Sequence, residues 1–107
     1  MKMIVAIVQD QDANEVTRFL RQGNVAHTSL KTRGGFLQRG SVMIMAGVDE
    51  DSVDSVINLI SRHCHQREVM HRPDLGSMHP DAYASPTTVS VGGAVIFILD
   101  VDQFRKI

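Results

Sequence analysis

SVMIMAGVDEDSVDSVINLISRHC, residues 41–64, holds a change of period that decides the fold. Residues 41–48 are apolar at nearly every position, which predicts a strand buried on both faces. Four acids then crowd positions 49–54, and Arg62 and His63 close the segment, the order a helix macrodipole favours. Val53, Val56, Ile57 and Ile60 fall at i, i+3, i+4 and i+7, the stripe of a helix lying on a core. A strand thus feeds directly into an amphipathic helix.

Working back toward the N-terminus, TRGGFLQRG at 32–40 reads as a tight turn into this strand. Gly34 and Gly35 turn the chain, Arg33 and Arg39 flank it, and Phe36 and Leu37 are large apolar residues where a solvated tip seldom has them. VAHTSLKTR, 25–33, is rich in β-branched residues and predicts the preceding strand. Gly23 and Asn24 stop a helix carrying Val16, Phe19 and Leu20 on one face, for which Asp10 and Asp12 offer N-cap oxygens, Asp12 with Glu15 in a capping-box pattern. Residues 2–9 form another doubly apolar strand.

Beyond Cys64, residues 65–86 contain three prolines, Gly76 and three of the five histidines, and read as a long loop, functional or mobile. Residues 87–101, TTVSVGGAVIFILDV, predict a last strand or a bent strand pair, with Gly92 and Gly93 at the bend as a bulge rather than a ligand contact. The order is βαββαβ, a ferredoxin-like α+β sandwich in one domain over 1–107. Two helices cover one face of a four-stranded sheet. Three strands are apolar on both faces, so the second face needs another subunit, and a closed homo-oligomer is expected.

Composition narrows the function. A net charge of −1 gives no basic bias toward nucleic acid. No run approaches the ~20 apolar residues of a membrane span, and the N-terminal apolar run meets Gln9 and Asp10 too early for a secretory signal. A single cysteine permits no intrachain disulfide and fits a reducing, cytoplasmic setting. No pair of carboxylates is poised for acid–base work, and Cys64 has no visible framework as a nucleophile. His63, Cys64, His65, His71 and His79 could supply metal ligands, but HCH at 63–65 is not a structural zinc spacing.

IVAIVQDQD at 4–12, then Asn24, Thr28, GGFL at 34–37, AGVDEDSVD at 46–54 and VGGAVIFILDVDQF at 91–104 resemble the PII-like cyclic-di-AMP receptor family over nearly the whole chain. The resemblance implies a cytoplasmic, non-enzymatic signalling protein, a homotrimer of ferredoxin-like subunits, and cyclic di-AMP as a regulatory ligand in inter-subunit clefts. It implies no cofactor, and a downstream protein partner whose identity the sequence does not carry. The ligand positions it implies include Asn24, Thr28, Gly35, Phe36, Leu37 and Gly47. Three positions depart from the pattern: Ala26 stands where an arginine is expected, Ser41 where an asparagine is, and Lys106 where a glutamine is. His27, Arg33, Arg39 or Lys106 could replace the missing charge. Phe36 and Leu37 would cover the face of an adenine, while backbone N–H groups bared at Gly34 and Gly35 approach its edge or a phosphate. Two alternatives stay open: a PII-like sensor of ADP or ATP, and a metal-handling trimer of the same fold.

Overall fold

The two doubly apolar segments, residues 2–9 and 41–48, are realised as two central, paired strands. A computed structural model of the chain describes residues 1–34, 40–71 and 87–107, excepting the side chains of His71 and Thr87. Strand β1 is Lys2–Gln9, helix α1 Asp10–Gln22, β2 His27–Thr32 and β3 Ser41–Val48. A 3-10 turn at Glu50–Ser52 leads into α2, Val53–Cys64. Strands β4, Arg67–His71, and β5, Thr87–Val91, follow, and β6 is Ala94–Asp100. Four strands make one antiparallel sheet in the order β2-β3-β1-β6, the arrangement of a ferredoxin-like sandwich.

The register sorts the side chains. Ile4, Ala6 and Val8 of β1 lie level with Ala46, Ile44 and Val42 of β3 and are buried. Ala13, Val16 and Leu20 of α1 and Val56, Ile60 and Cys64 of α2 close over them. Leu20 has no exposed surface; its truncation to alanine would cost about 2–5 kcal/mol by the usual transfer and cavity terms. The helices also touch through a stack of Phe19 on His63, with ring centroids 3.8 Å apart and planes 9° apart. Met3, Val5 and Ile7 point to the other face, level with Gly47, Met45 and Met43 on one side and Leu99, Phe97 and Val95 on the other. No helix of the described chain covers that face, and Leu30 and Leu99 on it are 41% and 47% exposed.

Two expectations need correction. Asp12 caps nothing: α1 begins at Asp10, its N-cap Gln9 makes no side-chain cap bond, and Asp12 sits inside the first turn, 3% exposed. The first helical N–H, that of Asp10, is satisfied instead by the carbonyl of Gly40 at 3.0 Å. The segment 65–86 is also not loop throughout. Residues 67–71 form β4, paired antiparallel with β5 as a separate two-stranded ribbon between α2 and β6. REVMH carries no apolar–polar alternation that would mark it as a strand. The bent strand pair expected at 87–101 is present, with Gly92 and Gly93 at φ +85° and +86° between β5 and β6.

Candidate functional site

The loop from α1 into β2 is built on one residue of unusual backbone. Asn24 has φ 57°, in the left-handed region asparagine tolerates, and its N–H donates to the carbonyl of Arg21 at 3.0 Å. The N–H of Val25 returns to the carbonyl of Leu20 at 2.9 Å. These bonds end the helix and aim the chain into β2.

Once in the ladder, Thr28 pairs with Met45 and therefore faces the open side of the sheet. The register continued one residue beyond His27↔Ala46 sets Ala26 level with Gly47. Gly47 is itself level with Met3 on the open side. Thr28 and Gly47 thus gather at one end of the uncovered apolar face. Ser41 pairs with Thr32 at the other end of the ladder, with Thr32 about 13 Å from Thr28 along β2 by the usual rise of ~3.3 Å per residue. Ser41 is buried, and its hydroxyl lies 2.9 Å from that of Thr32.

His27 is not on this face. It pairs with Ala46, a core residue under the helices, and its Nδ1 lies 2.9 Å from the carbonyl oxygen of Val25. Ala26 and His27 line an open groove of about 450 Å³ between α1 and β2, with Thr17, Arg21, Val25 and Ser29. Arg21 was not singled out by sequence reasoning. It makes no ion pair among the described residues and brings a guanidinium to the groove where position 26 supplies none. The signal was present as a helical spacing: the last turn of α1 ends beside the loop that carries Ala26.

Arg33 and Lys106 are exposed and outside the strands. Gly35, Phe36, Leu37 and Arg39 lie outside the described residues. So do His79 and the side chain of His71.

The other histidines and Cys64 diverge. The Cys64 thiol turns into the core and donates to the carbonyl of Ile60 at 2.9 Å, while His63 stacks on Phe19 with Nδ1 3.3 Å from Glu15. Burial pushes the Cys64 thiol up to about 11, with the Asp12 carboxylate adding to the effect and the Arg67 charge opposing it. A thiol held protonated is neither a ready metal ligand nor a nucleophile. Among the described residues, no three of His, Cys, Asp and Glu converge to hold a metal.

A four-stranded antiparallel sheet backed by two helices places the chain in the α+β sandwich class. The chain matches the family model described as cyclic-di-AMP receptor over residues 1–107 and belongs to that family. It is also similar to a protein of Pediococcus pentosaceus ATCC 25745, described with its crystal structure as functionally unknown. The two share 39% sequence identity over 99% of this chain and 96% of that one, with a TM-score of 0.82. Membership in a receptor family points to a binding protein whose ligand is a small nucleotide. No described helix is long and apolar enough to cross a membrane.

Proposed function

We propose that this chain is a non-enzymatic, cytoplasmic sensor of cyclic di-AMP, a single PII-like domain that acts as a homotrimer and holds the dinucleotide in clefts between subunits. The observation that carries the reading is the shared face. Thr28 and Gly47, two positions implied for ligand contact, lie at the end of the same sheet face that presents Met3, Val5, Met45 and Leu99 without a cover. A neighbouring copy seated on that apolar face would bring its own surface to Thr28 and Gly47, so each cleft would form only in the assembly. Three copies is the number the family resemblance implies.

The chemistry suits a two-base phosphodiester. Phe36 and Leu37 offer an apolar cover for a purine, Asn24 and Thr28 offer polar groups to its edges, and Arg21, Arg33 and Lys106 offer cations to a dianion. The ADP or ATP reading rests on Ala26 and Ser41, which remove two expected side-chain donors. The divergence of His63 from Cys64 argues against a metal function.

Calorimetric titration of the intact protein with cyclic di-AMP, ADP, ATP and zinc separates the readings. Saturable binding of cyclic di-AMP, weakened by Phe36→Ala by about 1–3 kcal/mol as for other base–aromatic stacks and weakened also by Arg21→Gln, supports the proposal. Tighter binding of ATP or zinc than of cyclic di-AMP overturns it.

A further inference from the structure

The β4–β5 ribbon belongs to neither layer of the sandwich. Among the described residues its strands pair with each other and with no other strand, and Val69 and Met70 on it are 38% and 69% exposed, while Val91 at its base is buried. It meets the body at its base. There the Arg67 guanidinium grips Asp12 with two nitrogens, Nη2 to Oδ1 at 2.8 Å and Nη1 to Oδ2 at 3.3 Å. Nη1 also donates to the carbonyl of His65 at 3.2 Å. On the other strand, the N–H of Gly92 donates to Gln9 Oε1 at 2.7 Å, and that of Gly93 to the Cys64 carbonyl.

The two sides of this socket differ in kind. On the β5 side the chain leaves through two consecutive glycines with positive φ, a backbone that can rotate at low steric cost. A side chain at Gly92 would collide with the His65 carbonyl and stand 2.6 Å from Arg67 Nη1, so this glycine also makes room for the guanidinium. On the β4 side the tie is an ion pair whose carboxylate is 4% exposed and whose guanidinium is 35% exposed. A carboxylate so buried is held by its partner, because leaving it unpaired in a low-dielectric site is costly. The half-exposed arginine can be drawn away from outside. The other carboxylate acting on it is that of Glu15.

We propose that Asp12 and Arg67 form a latch that fixes the angle at which the β4–β5 ribbon leaves the sandwich, and that the ribbon turns as a unit about Gly92–Gly93 when the pair opens. The ribbon's own ladder, Arg67↔Val91 to His71↔Thr87, does not depend on the pair, so opening reorients the ribbon without melting it. The sheet and the two helices keep their core, because no core side chain of theirs is replaced. Asp12 and Arg67 are positioning residues in this scheme.

The test is a distance measurement between spin labels at Asn58→Cys on α2 and Glu68→Cys on β4, both exposed positions. Labelled full-length chains are mixed with an excess of unlabelled ones so that only intrachain distances are read. Native Cys64 is buried and stays unlabelled. The expected result is a narrow distribution in the parent, at least about twofold broader in Asp12→Asn and in Arg67→Gln. The double variant should be no broader than either single one, because both changes open the same latch. Circular dichroism melting of each variant is recorded alongside. A parent distribution already as broad as the variants, or variants as narrow as the parent, overturns the proposal. So does broadening that appears only where the melting curve shows the whole domain unfolding. Should Asp12→Asn fail to fold, Arg67→Gln and Arg67→Lys carry the test from the exposed side, with Lys expected between Gln and the parent.

Discussion

The hydroxyls of Thr32 and Ser41 lie 2.9 Å apart across the rung that closes the β2–β3 hairpin, and Ser41 is 4% exposed. The pair therefore ties the two strands where they enter the segment carrying Phe36 and Leu37. Ser41→Ala should lower unfolding stability by about 1 kcal/mol, and Thr32→Val by a similar amount, the usual net value of a partly buried hydrogen bond. The double variant should lose less than the two losses added together. Urea unfolding of the four proteins measures the coupling; strict additivity would show that the two hydroxyls do not support each other.

Met45 sits in the middle of the uncovered sheet face, level with Val5 on one side and Thr28 on the other. In an isolated chain a lysine there would reach solvent. In the proposed trimer it would be buried among apolar side chains of another copy, at several kcal/mol per unpaired charge. Met45→Lys should therefore leave the circular dichroism spectrum of the fold intact and shift light scattering from trimer to monomer. A parent protein that scatters as a stable monomer at micromolar concentration removes the basis for the clefts altogether.

The buried Cys64 thiol sets an alkaline limit. Its pKa is raised from 9.0 in an unfolded chain to about 11 in the fold, first by burial and then by the Asp12 charge. Above pH 9 the unfolded chain releases this proton and the folded one keeps it, so the contribution to stability is full below pH 9 and is lost as pH rises toward 11. The loss is on the order of 2 kcal/mol across that window. Denaturant midpoints of the parent should fall more steeply between pH 8 and pH 11, as a rough window, than those of Cys64→Ala. Parallel slopes would show that the thiol does not titrate with folding.

The elements easiest to read were those whose period is carried by the core itself. Val53, Val56, Ile57 and Ile60 gave α2 because the helix buries one stripe, and the doubly apolar β1 and β3 announced a sheet with a second face to cover. The ribbon was harder. Among the described residues Arg67–His71 pairs with Thr87–Val91 alone, 16 residues further on, and leaves Val69 and Met70 exposed, so burial leaves no alternation strong enough to find it. Asp12 was misread for a related reason. An acid at the start of a helix normally serves the helix, and only the three-dimensional return of Arg67 shows that this one serves the ribbon. Of the positions the family resemblance implies, Thr28 and Gly47 fall on one face of the sheet by strand parity. Arg21 could not be placed from sequence, because it reaches the groove beside Ala26 from a different element.

Gly47 offers the cleanest separation of fold from ligand. It lies in β3, its φ is not positive, and a Cβ built on it would meet only the sulfur of Met1, at 3.7 Å, an ordinary contact. Nothing within the described chain therefore requires a glycine here, and in a strand a glycine is normally a weakness. Gly47→Ala should hold the melting temperature or raise it slightly, since alanine gives up less backbone freedom on folding. If the proposed ligand approaches the backbone at this end of the face, the same methyl group intrudes on it. Nucleotide affinity should then drop for Gly47→Ala and drop further for Gly47→Val, by more than about tenfold, which is roughly 1.4 kcal/mol. The two substitutions are read by calorimetric titration and by thermal unfolding on the same preparations. Loss of affinity with stability retained assigns Gly47 to the ligand. Unchanged affinity in both variants would remove Gly47 from the site and leave the glycine without a role that the described structure explains.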